Sequence, residues 1–275
     1  MNGKRRFADS ARKAFVFLVA PVVLVALTGT ARPAPAVCPV AVAGTGLISV
    51  AYAGAPAVPA GHVRLTFAGH ASFLIETAGG ASVFTDYNGY VRPPRLPDIV
   101  TMNNFHDTHY TDYVEPEIRF VLRGWDPSGG VARHNLAYRD ARIRNVPTNI
   151  AEFAGKTSNG NSIFVVEAAG LCVAHLSHLH HVLSRGQVRE LGRIDVLLAP
   201  IDGAWTMSHE EVMHVIAQIK PRLVIPMHYG SEDSVGLFLA LAKQRYPIKR
   251  HGSDTLLVSL RTLPRSTEVL FLAGE

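Results

Sequence analysis

The stretch GNSIFVVEAAGLCVAHLSHLHHVL, residues 160–183, decides the fold prediction for this chain. Two apolar runs, residues 163–168 and 171–174, flank the turn residues Ala169 and Gly170, and this pattern predicts a hairpin of two buried strands. Four of the 13 histidines of the chain follow directly: His175, His178, His180 and His181. The stretch therefore predicts a rigid hairpin that carries a histidine-rich loop at its end.

Two further groups of histidines also follow apolar runs. The stretch NNFHDTHYTDY, residues 103–113, comes after PDIVTM and contains His106 and His109. The segment RLVIPMHY, residues 222–229, predicts a buried strand that ends at His228. Loops on the strand ends of a rigid sheet commonly carry functional groups, and neutral imidazole is a common metal ligand. The arrangement therefore favours a metal site over scattered surface or core histidines.

The remainder of the body predicts a mixed architecture. Its first half is strand-like, with HVRLTFAG, ASFLIETAGG and ASVFTDYNG as short runs separated by turn residues. In the second half, IDVLLAPID predicts a buried strand, and the next segment predicts a helix with Ser208 as N-cap, Glu211 in a capping box and Pro221 after its end. Two runs of strands with helices outside predict an α/β fold of layered sheets covered by helices.

The N-terminal region resembles an export signal. A basic start is followed by the apolar run AFVFLVAPVVLVALTGT, residues 14–30, and by an A-x-A site that ends at Ala36. We expect a signal peptide over residues 1–36, with an alternative cleavage after Ala53, and a periplasmic or secreted protein. The alternative is an uncleaved leader that anchors the protein in a membrane, although the run is short for a span and contains Pro21. Residues 37–60 are expected to be a linker and residues 61–275 a single domain.

Charge and cysteine content narrow the possible partners. Six of the 27 basic residues but one of the 22 acidic residues lie within residues 1–36, so the net charge of +5 belongs to the leader. The balanced body lacks the basic surface of a nucleic-acid-binding protein, which leaves a small-molecule substrate as the expected partner and a membrane only through an uncleaved leader. Of the two cysteines, Cys38 and Cys172, the second lies in an apolar run and is predicted to be a small buried hydrophobic residue without a structural disulfide.

The order of these segments resembles the metallo-β-lactamase superfamily, in its branch of small Zn-dependent, lactonase-like hydrolases. LTFAGHASFLIET and VFTDY are similar to the opening hairpin of that branch, and residues 160–183 to its central hairpin and metal loop. DVLLAP and RLVIPMHYG are similar to its closing strands. The resemblance covers most of residues 61–260 and implies a four-layer αβ/βα sandwich in a single domain, with one or two metals at the sheet edge.

The resemblance also implies a degenerate metal signature. The family motif H-x-H-x-D-H, laid on NFHDTH, places Asn104 at the first His, His106 at the second, Thr108 at the Asp and His109 at the last His. Two of these four positions keep the family residue. In the family, the Asp that is missing at Thr108 orients or deprotonates the attacking water. Asp107 and Asp112 are near in the sequence and could replace it, with Asp107 as the candidate catalytic residue; an exposed loop carboxylate is the alternative interpretation of Asp107.

The other family ligand positions are changed as well. A further family His falls near Asn149, the bridging Asp falls on His178, and the closing His is kept as His228. The resemblance then implies one metal rather than two, with Zn²⁺ preferred and Fe, Mn, Ni or Cu as alternatives, because an all-imidazole set does not fix the metal. The predicted ligands are His106, His109, His178 and His228. The residues predicted to line the pocket or support the ligands are His70, Asn104, Thr108, Asn149 and His181.

Three functional hypotheses follow from these features. The first is an exported metal-dependent hydrolase that activates water for attack on an ester, lactone, amide or phosphoester. The second is a non-catalytic domain of the same fold that binds metal or ligand, which the changed positions Asn104 and Thr108 favour. The third is a redox enzyme, which is weakened because no flavoprotein or electron-transfer segment is recognisable in the sequence.

Overall fold

The structure is a computed structural model that describes residues 56–104, 106–152 and 155–274. The predicted signal peptide and most of the predicted linker lie outside these residues. The described elements are β1 (Val63–Gly69), β2 (Ser72–Thr77), β3 (Ser82–Phe84), β4 (Ile99–Met102), β5 (Phe120–Arg123), β6 (Asn135–Tyr138), β7 (Ala141–Glu152), β8 (Gly155–Ala168), β9 (Leu171–His175), α1 (Arg185–Leu191), β10 (Val196–Pro200), α2 (His209–Ile219), β11 (Leu223–Met227), α3 (Glu232–Ala242), β12 (Ile248–Arg250), β13 (Thr255–Val258) and β14 (Glu268–Phe271).

These strands form two mixed sheets. The six-stranded sheet has the order β13-β1-β2-β3-β4-β5, and the eight-stranded sheet has the order β12-β14-β11-β10-β9-β8-β7-β6. The predicted hairpin of residues 160–183 is present as the antiparallel pair β8 and β9, with Phe164 opposite His175. Strands β9, β10 and β11 are parallel to one another, and so are β3, β4 and β5. Because parallel strands end at the same sheet edge, the loops that carry the histidines emerge side by side.

The main core lies between the two sheets. Alternate side chains of the first hairpin point inward, including Val63, Leu65, Phe73 and Ile75, and they pack against inward-facing residues of β8 to β11. Phe73 is fully buried, and its ring centroid lies 5.0 Å from that of Phe67. Complete burial of each such side chain stabilises the fold by roughly 1.5–3 kcal/mol. This rigid apolar layer supports the polar loops at the sheet edge.

The outer faces of the two sheets are covered differently. Helices α1, α2 and α3 pack on the eight-stranded sheet through a second apolar cluster. On the six-stranded sheet, outward-facing residues such as Phe84 and Val100 pack against Tyr87, Ile118 and Trp125 from the connecting segments. In residues 56–104, 106–152 and 155–274, no helix covers this face. The predicted α/β sandwich is therefore confirmed, with irregular chain as the outer layer of one sheet.

The helices begin at side-chain caps. Helix α2 starts as predicted, because Ser208 accepts from the backbone N–H of Glu211 and the Glu211 side chain accepts from Ser208 in return. The unpredicted helix α1 uses the same capping box with Ser184 and Gln187. Its signal in the sequence is that S-x-x-Q pattern, but only seven residues follow the cap. Of the helices that the structure describes, none is both long and apolar enough to cross a membrane.

Cys172 differs from its prediction. Its side chain is buried in β9, as expected, but it takes part in a disulfide bond. The expectation of a simple hydrophobic residue without a disulfide is therefore wrong, because an apolar sequence context reports burial and carries no information about a distant thiol. The other cysteine, Cys38, lies outside the described residues.

Candidate metal centre

Loops from both sheets meet at one edge of the sandwich. The loops after β3 and β4 come from the six-stranded sheet, and those after β9, β10 and β11 come from the eight-stranded sheet. The turn between β1 and β2 joins them, since the backbone N–H of His228 donates to the carbonyl of His70 at 2.7 Å. This hydrogen bond crosses from one sheet to the other and brings the histidine-bearing loops together.

Three histidines form a compact group at this edge. One ring nitrogen from each of His70, His109 and His228 lies within 4.8 Å of the other two. The ring centroid of His70 is 4.3 Å from that of His228 and 5.2 Å from that of His109. His178 lies outside this group of three but packs beside it, with ring centroids 4.4 Å from His109 and 5.2 Å from His228.

A buried carboxylate orients His109. Asp86, directly after β3, has its oxygens 2.8 and 3.0 Å from His109 Nδ1, and it also accepts a hydrogen bond of 2.5 Å from Asn103 Nδ2. Burial alone raises the pKa of the Asp86 carboxyl, but the charge and hydrogen bond of His109 outweigh it and hold that pKa well below its usual range. With Nδ1 committed to Asp86, His109 Nε2 remains as a buried nitrogen without a hydrogen-bond partner.

A second carboxylate orients His228 from the other sheet. Asp202, just after β10, has Oδ2 at 3.0 Å from His228 Nδ1 and at 2.6 Å from the donating hydroxyl of Thr206. Its Oδ1 accepts from the backbone N–H groups of residues 204–206. Burial raises the pKa of Asp202, yet the hydrogen bonds from His228 and Thr206 lower it overall, while burial lowers the pKa of His228. Both carboxylate–histidine pairs favour a neutral ring with Nε2 free to bind a cation.

The backbone at this edge adopts an uncommon conformation. His70, Asp86, Ser177 and His228 all have positive φ angles, of 52°, 55°, 62° and 52°. For residues with a side chain this left-handed region costs on the order of 1–3 kcal/mol and persists where the surrounding structure imposes it. Four such residues at one sheet edge indicate that the fold holds these side chains in a defined arrangement.

The histidine-rich loop after β9 contains residues with different roles. His178 Nδ1 lies 2.8 Å from His180 Nε2, and burial together with the neighbouring His109 and His228 lowers the pKa of His178 to about 2. His175 has both ring nitrogens engaged, with Nε2 2.6 Å from the Ala71 carbonyl and Nδ1 accepting from the Ser177 N–H at 3.1 Å. His175 is therefore a structural residue, and His178 is positioned beside the compact group.

The predicted residues of the signature loop lie at the rim of the site. The His106 side chain is half exposed, and its Nδ1 is 2.8 Å from Thr108 Oγ1 and 3.3 Å from an Asp107 oxygen. Its ring is nearly parallel to that of His178 at a centroid distance of 6.3 Å. The Asp107 side chain is 74 % exposed. The ligand role of His106 and the catalytic role of Asp107 remain predictions.

The other predicted pocket residues fall in two places. Asn104 is fully buried and forms an isolated β-bridge with Asn161 of β8. The backbone N–H of Asn149 donates to His181 Nε2 at 3.2 Å, and both residues line a surface cavity of about 510 Å³ beside α1. The lining of that cavity contains none of the rings around His109. Asn149 and His181 therefore line this surface cavity, and their supporting role at the metal site stays a prediction.

Sequence reasoning gave too little weight to three residues. His70 was expected only to line the pocket, yet it belongs to the compact group. Asp86, which ends the run VFT, is interpreted from the sequence as a structural residue in preference to a brace for a ligand, and Asp202 is absent from the predicted site, although each follows a buried strand directly. The same signal, an aspartate at the end of a strand, could have identified Asp202 as a partner for His228.

These residues fit a divalent cation. The buried, unpartnered His109 Nε2 is costly unless something binds it, and the nearby nitrogens of His70 and His228 offer further neutral imidazole donors. Zinc and other first-row transition metals favour such donors, and carboxylates behind the rings increase the basicity of the ligands. The arrangement can therefore hold a metal ion at the sheet edge.

Comparisons with known proteins agree with this geometry. Residues 64–228 match the family model of the beta-lactamase superfamily domain. The chain is 30% identical over 207 residues to a "UPF0173 metal-dependent hydrolase" of Opitutus terrae, which covers 63% of this chain and 87% of that protein. A second relative of the same description, from Archaeoglobus fulgidus, is 27% identical over 235 residues, covering 72% of this chain and 96% of its own.

A solved structure shows the same fold. The structure from Thermotoga maritima assigned to the metallo-beta-lactamase superfamily superposes with a TM-score of 0.57 at 28% identity, covering 76% of this chain and 98% of that one. The family match spans more than half of the chain and includes both the first histidine turn and the closing His228. The chain therefore belongs to the metallo-β-lactamase superfamily.

Proposed function

We propose that this protein is an exported hydrolase that uses one metal ion at the edge of its two sheets. The observation that carries the proposal is the buried His109 Nε2, which has no hydrogen-bond partner and lies in a group with ring nitrogens of His70 and His228. The relatives from Opitutus terrae and Archaeoglobus fulgidus are described as metal-dependent hydrolases, which supports the same chemistry here. The expected substrate is a small molecule with an ester, lactone, amide or phosphoester bond.

The proposed ligands are His70, His109 and His228, with His178 as the fourth candidate. The predicted ligand His106 remains an alternative, since its ring lies 5.9 Å from that of His109. A single metal is supported by the replacements at the second metal site of the family, where Asn104 and Asn149 stand in place of two histidine ligands. Zn²⁺ is the preferred metal, and Fe, Mn, Ni or Cu would also suit imidazole donors.

The residues around the site have separate tasks in this mechanism. A cation held there supplies Lewis acidity, which makes water a nucleophile near neutral pH. Asp86 and Asp202 hold the rings of His109 and His228 in the tautomer that leaves Nε2 free. Asp107 is the proposed proton acceptor, because it is exposed at the rim and reaches His106. The substrate bond breaks as water adds to its carbonyl carbon or phosphorus, and the leaving group takes a proton.

Metal content of single variants tests the ligand assignment. We expect His70→Ala, His109→Ala and His228→Ala each to lose most of the bound metal, because each removes one of three convergent donors. His106→Ala is expected to retain it, since its side chain is half exposed and lies outside the group. Metal per protein is measured by elemental analysis after dialysis. If His70→Ala keeps its metal and His106→Ala loses it, His70 is not a ligand. The ligands would then be the four residues predicted from the sequence, which include His106.

A non-catalytic domain of the same fold is the second candidate function. Thr108 stands where the family has a catalytic Asp, and this replacement favours binding without turnover. A screen of esters, lactones, amides and phosphodiesters with added Zn²⁺, Mn²⁺ or Fe²⁺ separates the two candidates. Metal-dependent turnover that is lost in His178→Ala excludes the binding domain, and metal binding without turnover of any class supports it.

Export is a further part of the proposal and rests on the leader sequence and on Cys172. Disulfide bonds persist mainly in oxidising compartments, so the disulfide of Cys172 supports a periplasmic or secreted location. Expression of the full chain should yield a mature protein that begins at residue 37 and keeps Cys38, the one other cysteine of the chain. Cleavage at the alternative site, with a start at residue 54, would remove that cysteine and contradict the argument from the disulfide. N-terminal sequencing of the periplasmic and medium fractions measures this. Recovery of the full-length chain in the membrane fraction would instead indicate an uncleaved anchor.

A further inference from the structure

The disulfide of Cys172 attaches a part of the chain that comes before the described residues. The chain contains two cysteines, so the partner of Cys172 within one chain is Cys38. Cys172 is 1 % exposed, and its backbone N–H donates to the Asp195 carboxylate at 2.9 Å. A bond to a thiol in this buried position holds residue 38 to the body of the domain. The predicted linker is therefore attached near its start.

The other end of this linker is attached to the other sheet. The carbonyl of Pro56 accepts a hydrogen bond from the buried guanidinium of Arg64 in β1, which also contacts Glu76 of β2 at 3.3 Å. Cys172 belongs to the eight-stranded sheet, whereas Arg64 belongs to the six-stranded sheet. Residues 39–55, which we call the N-terminal segment, therefore connect a point on one sheet with a point on the other.

Two exposed leucines lie between these attachment points. Leu257 of β13 is the cross-strand partner of Arg64 and is 42 % exposed, and Leu260, just after the same strand, is 43 % exposed. Leu260 lies against the turn that leads into β9, because a Cβ at Gly170 would be 3.3 Å from Leu260 Cδ1. The surface between Arg64 and the start of β9 is therefore lined by these two leucines.

The composition of the N-terminal segment suits a packed position. Its sequence, PVAVAGTGLISVAYAGA, contains no charged side chain, and the run LISVAY within it combines β-branched and aromatic residues. Segments that stay solvated between domains are instead poor in such residues and rich in polar or charged ones. An apolar segment gains free energy by covering exposed leucines, since both surfaces leave water.

We propose that a disulfide between Cys38 and Cys172 closes after export and that the N-terminal segment docks on Leu257 and Leu260. The inference rests on the export part of the proposed function, since such bonds persist in oxidising compartments. The two Sγ–H groups lose two protons and two electrons, one S–S bond forms between them, and a disulfide oxidant of the compartment is reduced to two thiols. The N-terminal segment is then part of the folded domain, which reaches its full stability only once the bond has formed.

The bond lies away from the metal centre. Cys172 is the second residue of β9, whereas the histidine-rich loop follows the last residue of that strand, His175. Docking of the N-terminal segment should therefore affect stability and leave the metal ligands in place. An uncleaved leader would be attached at the same end, so the metal centre would face away from the membrane.

The linkage is tested on the full chain, expressed with its leader and purified from the periplasmic fraction. We expect proteolysis without reduction to yield a pair of peptides joined through Cys38 and Cys172, and the unreduced protein to be a monomer. Free thiols at both positions, a dimer joined by disulfides, or a mature protein without Cys38 would overturn the proposal. Full-length chain that stays in the cytoplasm contradicts export alone, and treatment of that purified chain with oxidised glutathione then tests the linkage.

Thermal unfolding measures the contribution of the bond. The disulfide closes a loop of more than one hundred residues, so we expect complete reduction to lower Tm by about 5–15 °C. Cys38→Ser leaves the buried Cys172 side chain in place, and this variant should have the Tm of the reduced protein and no response to reductant. Metal content should be equal in all three samples. An unchanged Tm of the fully reduced protein would overturn the stabilising role.

Leucine substitutions test where the N-terminal segment docks. Leu257→Ala and Leu260→Ala should each lower Tm by about 3–6 °C in the oxidised protein and by less than half as much in Cys38→Ser, where the segment is released. Leu237→Ala, at an exposed leucine of α3, is the matched control and should change Tm little in both backgrounds. If Cys38→Ser does not accumulate, the reduced wild-type sequence serves as the released background.

The outcomes separate this inference from the proposed function. Equal effects of the two leucine substitutions in both backgrounds would overturn the docking on Leu257 and Leu260. A disulfide and docking without metal-dependent turnover would overturn the hydrolase and support the docked N-terminal segment. Metal-dependent turnover in an exported protein whose two thiols stay free would do the reverse.

Discussion

Asp86→Asn is expected to lower the affinity for metal by about 10- to 100-fold, because the buried carboxylate behind His109 sets the tautomer and basicity of that ring. Asparagine tolerates the positive φ of 55° at this position, so the substitution removes charge with little change in backbone strain. We also expect a loss of roughly 1–3 kcal/mol in the free energy of unfolding, since a hydrogen bond to a charged group is weakened in a fully buried place. Metal titration and urea unfolding measure the two effects.

Asp107→Asn is the matched control for this substitution. It replaces the same functional group in the same region, but the Asp107 side chain is 74 % exposed and adjoins His106 rather than His109. Metal affinity and stability should therefore change little. A fall in turnover with unchanged metal content would support Asp107 as the proton acceptor. Equal loss of metal in both variants would contradict the assignment of Asp86 as the orienting carboxylate.

Metal-depleted protein is expected to lose stability as the pH falls from about 6.5 to about 4. Burial lowers the pKa of His175 from 6.5 to about 4, so in this range the unfolded chain binds a proton that the folded protein excludes. Stability then rises with pH and is lost on acidification, by about 3 kcal/mol for this residue alone. His178 and His228, whose pKa values burial also lowers, add to the loss. Asp86 and Asp202 add to this loss of stability only below pH 3.8, which is the ordinary pKa of an aspartate, because the folded protein lowers the pKa of both carboxyls.

The hydrogen bonds of His175 explain why it stays neutral. Nε2 donates to the Ala71 carbonyl at 2.6 Å, and Nδ1 accepts from the Ser177 N–H, so a second proton would face another donor. His175→Gln should reduce the slope of the free energy of unfolding against pH by up to about 1.4 kcal/mol per pH unit. Urea unfolding in EDTA at several pH values measures it, and His214→Gln, at an exposed position of α2, controls for histidine loss. An unchanged slope in His175→Gln would contradict the prediction.

The fold was predictable because its signals are local and redundant. The apolar runs of β8, β9, β10 and β11 are long, continuous and bounded by turn residues, and the capping box of Ser208 marks the start of α2. Helix α1 has a similar cap but is too short to show an apolar periodicity. The irregular outer layer on the six-stranded sheet also escapes prediction, because its contacts depend on how long segments fold back rather than on repeated spacing.

The site was predictable only in part, because its partners are distant in the sequence. His109 and His228 are marked by their place after a strand and by the family motif. The pairing of Asp86 with His109 and of Asp202 with His228 depends on which strand ends meet, and neither periodicity nor spacing contains that information. His70 is a single histidine in a tight turn, and the turn becomes part of the site only through its backbone contact with His228.

The contact between His70 and His228 has a mechanical consequence. His70, Asp86 and His109 belong to the half of the molecule built on the six-stranded sheet, and Asp202 and His228 belong to the other half. A cation bound by His70, His109 and His228 would cross-link the two halves, so that neither could slide against the other without breaking a bond between a ligand and the metal. The resistance of the two halves to sliding past each other would then increase with the fraction of protein that carries metal.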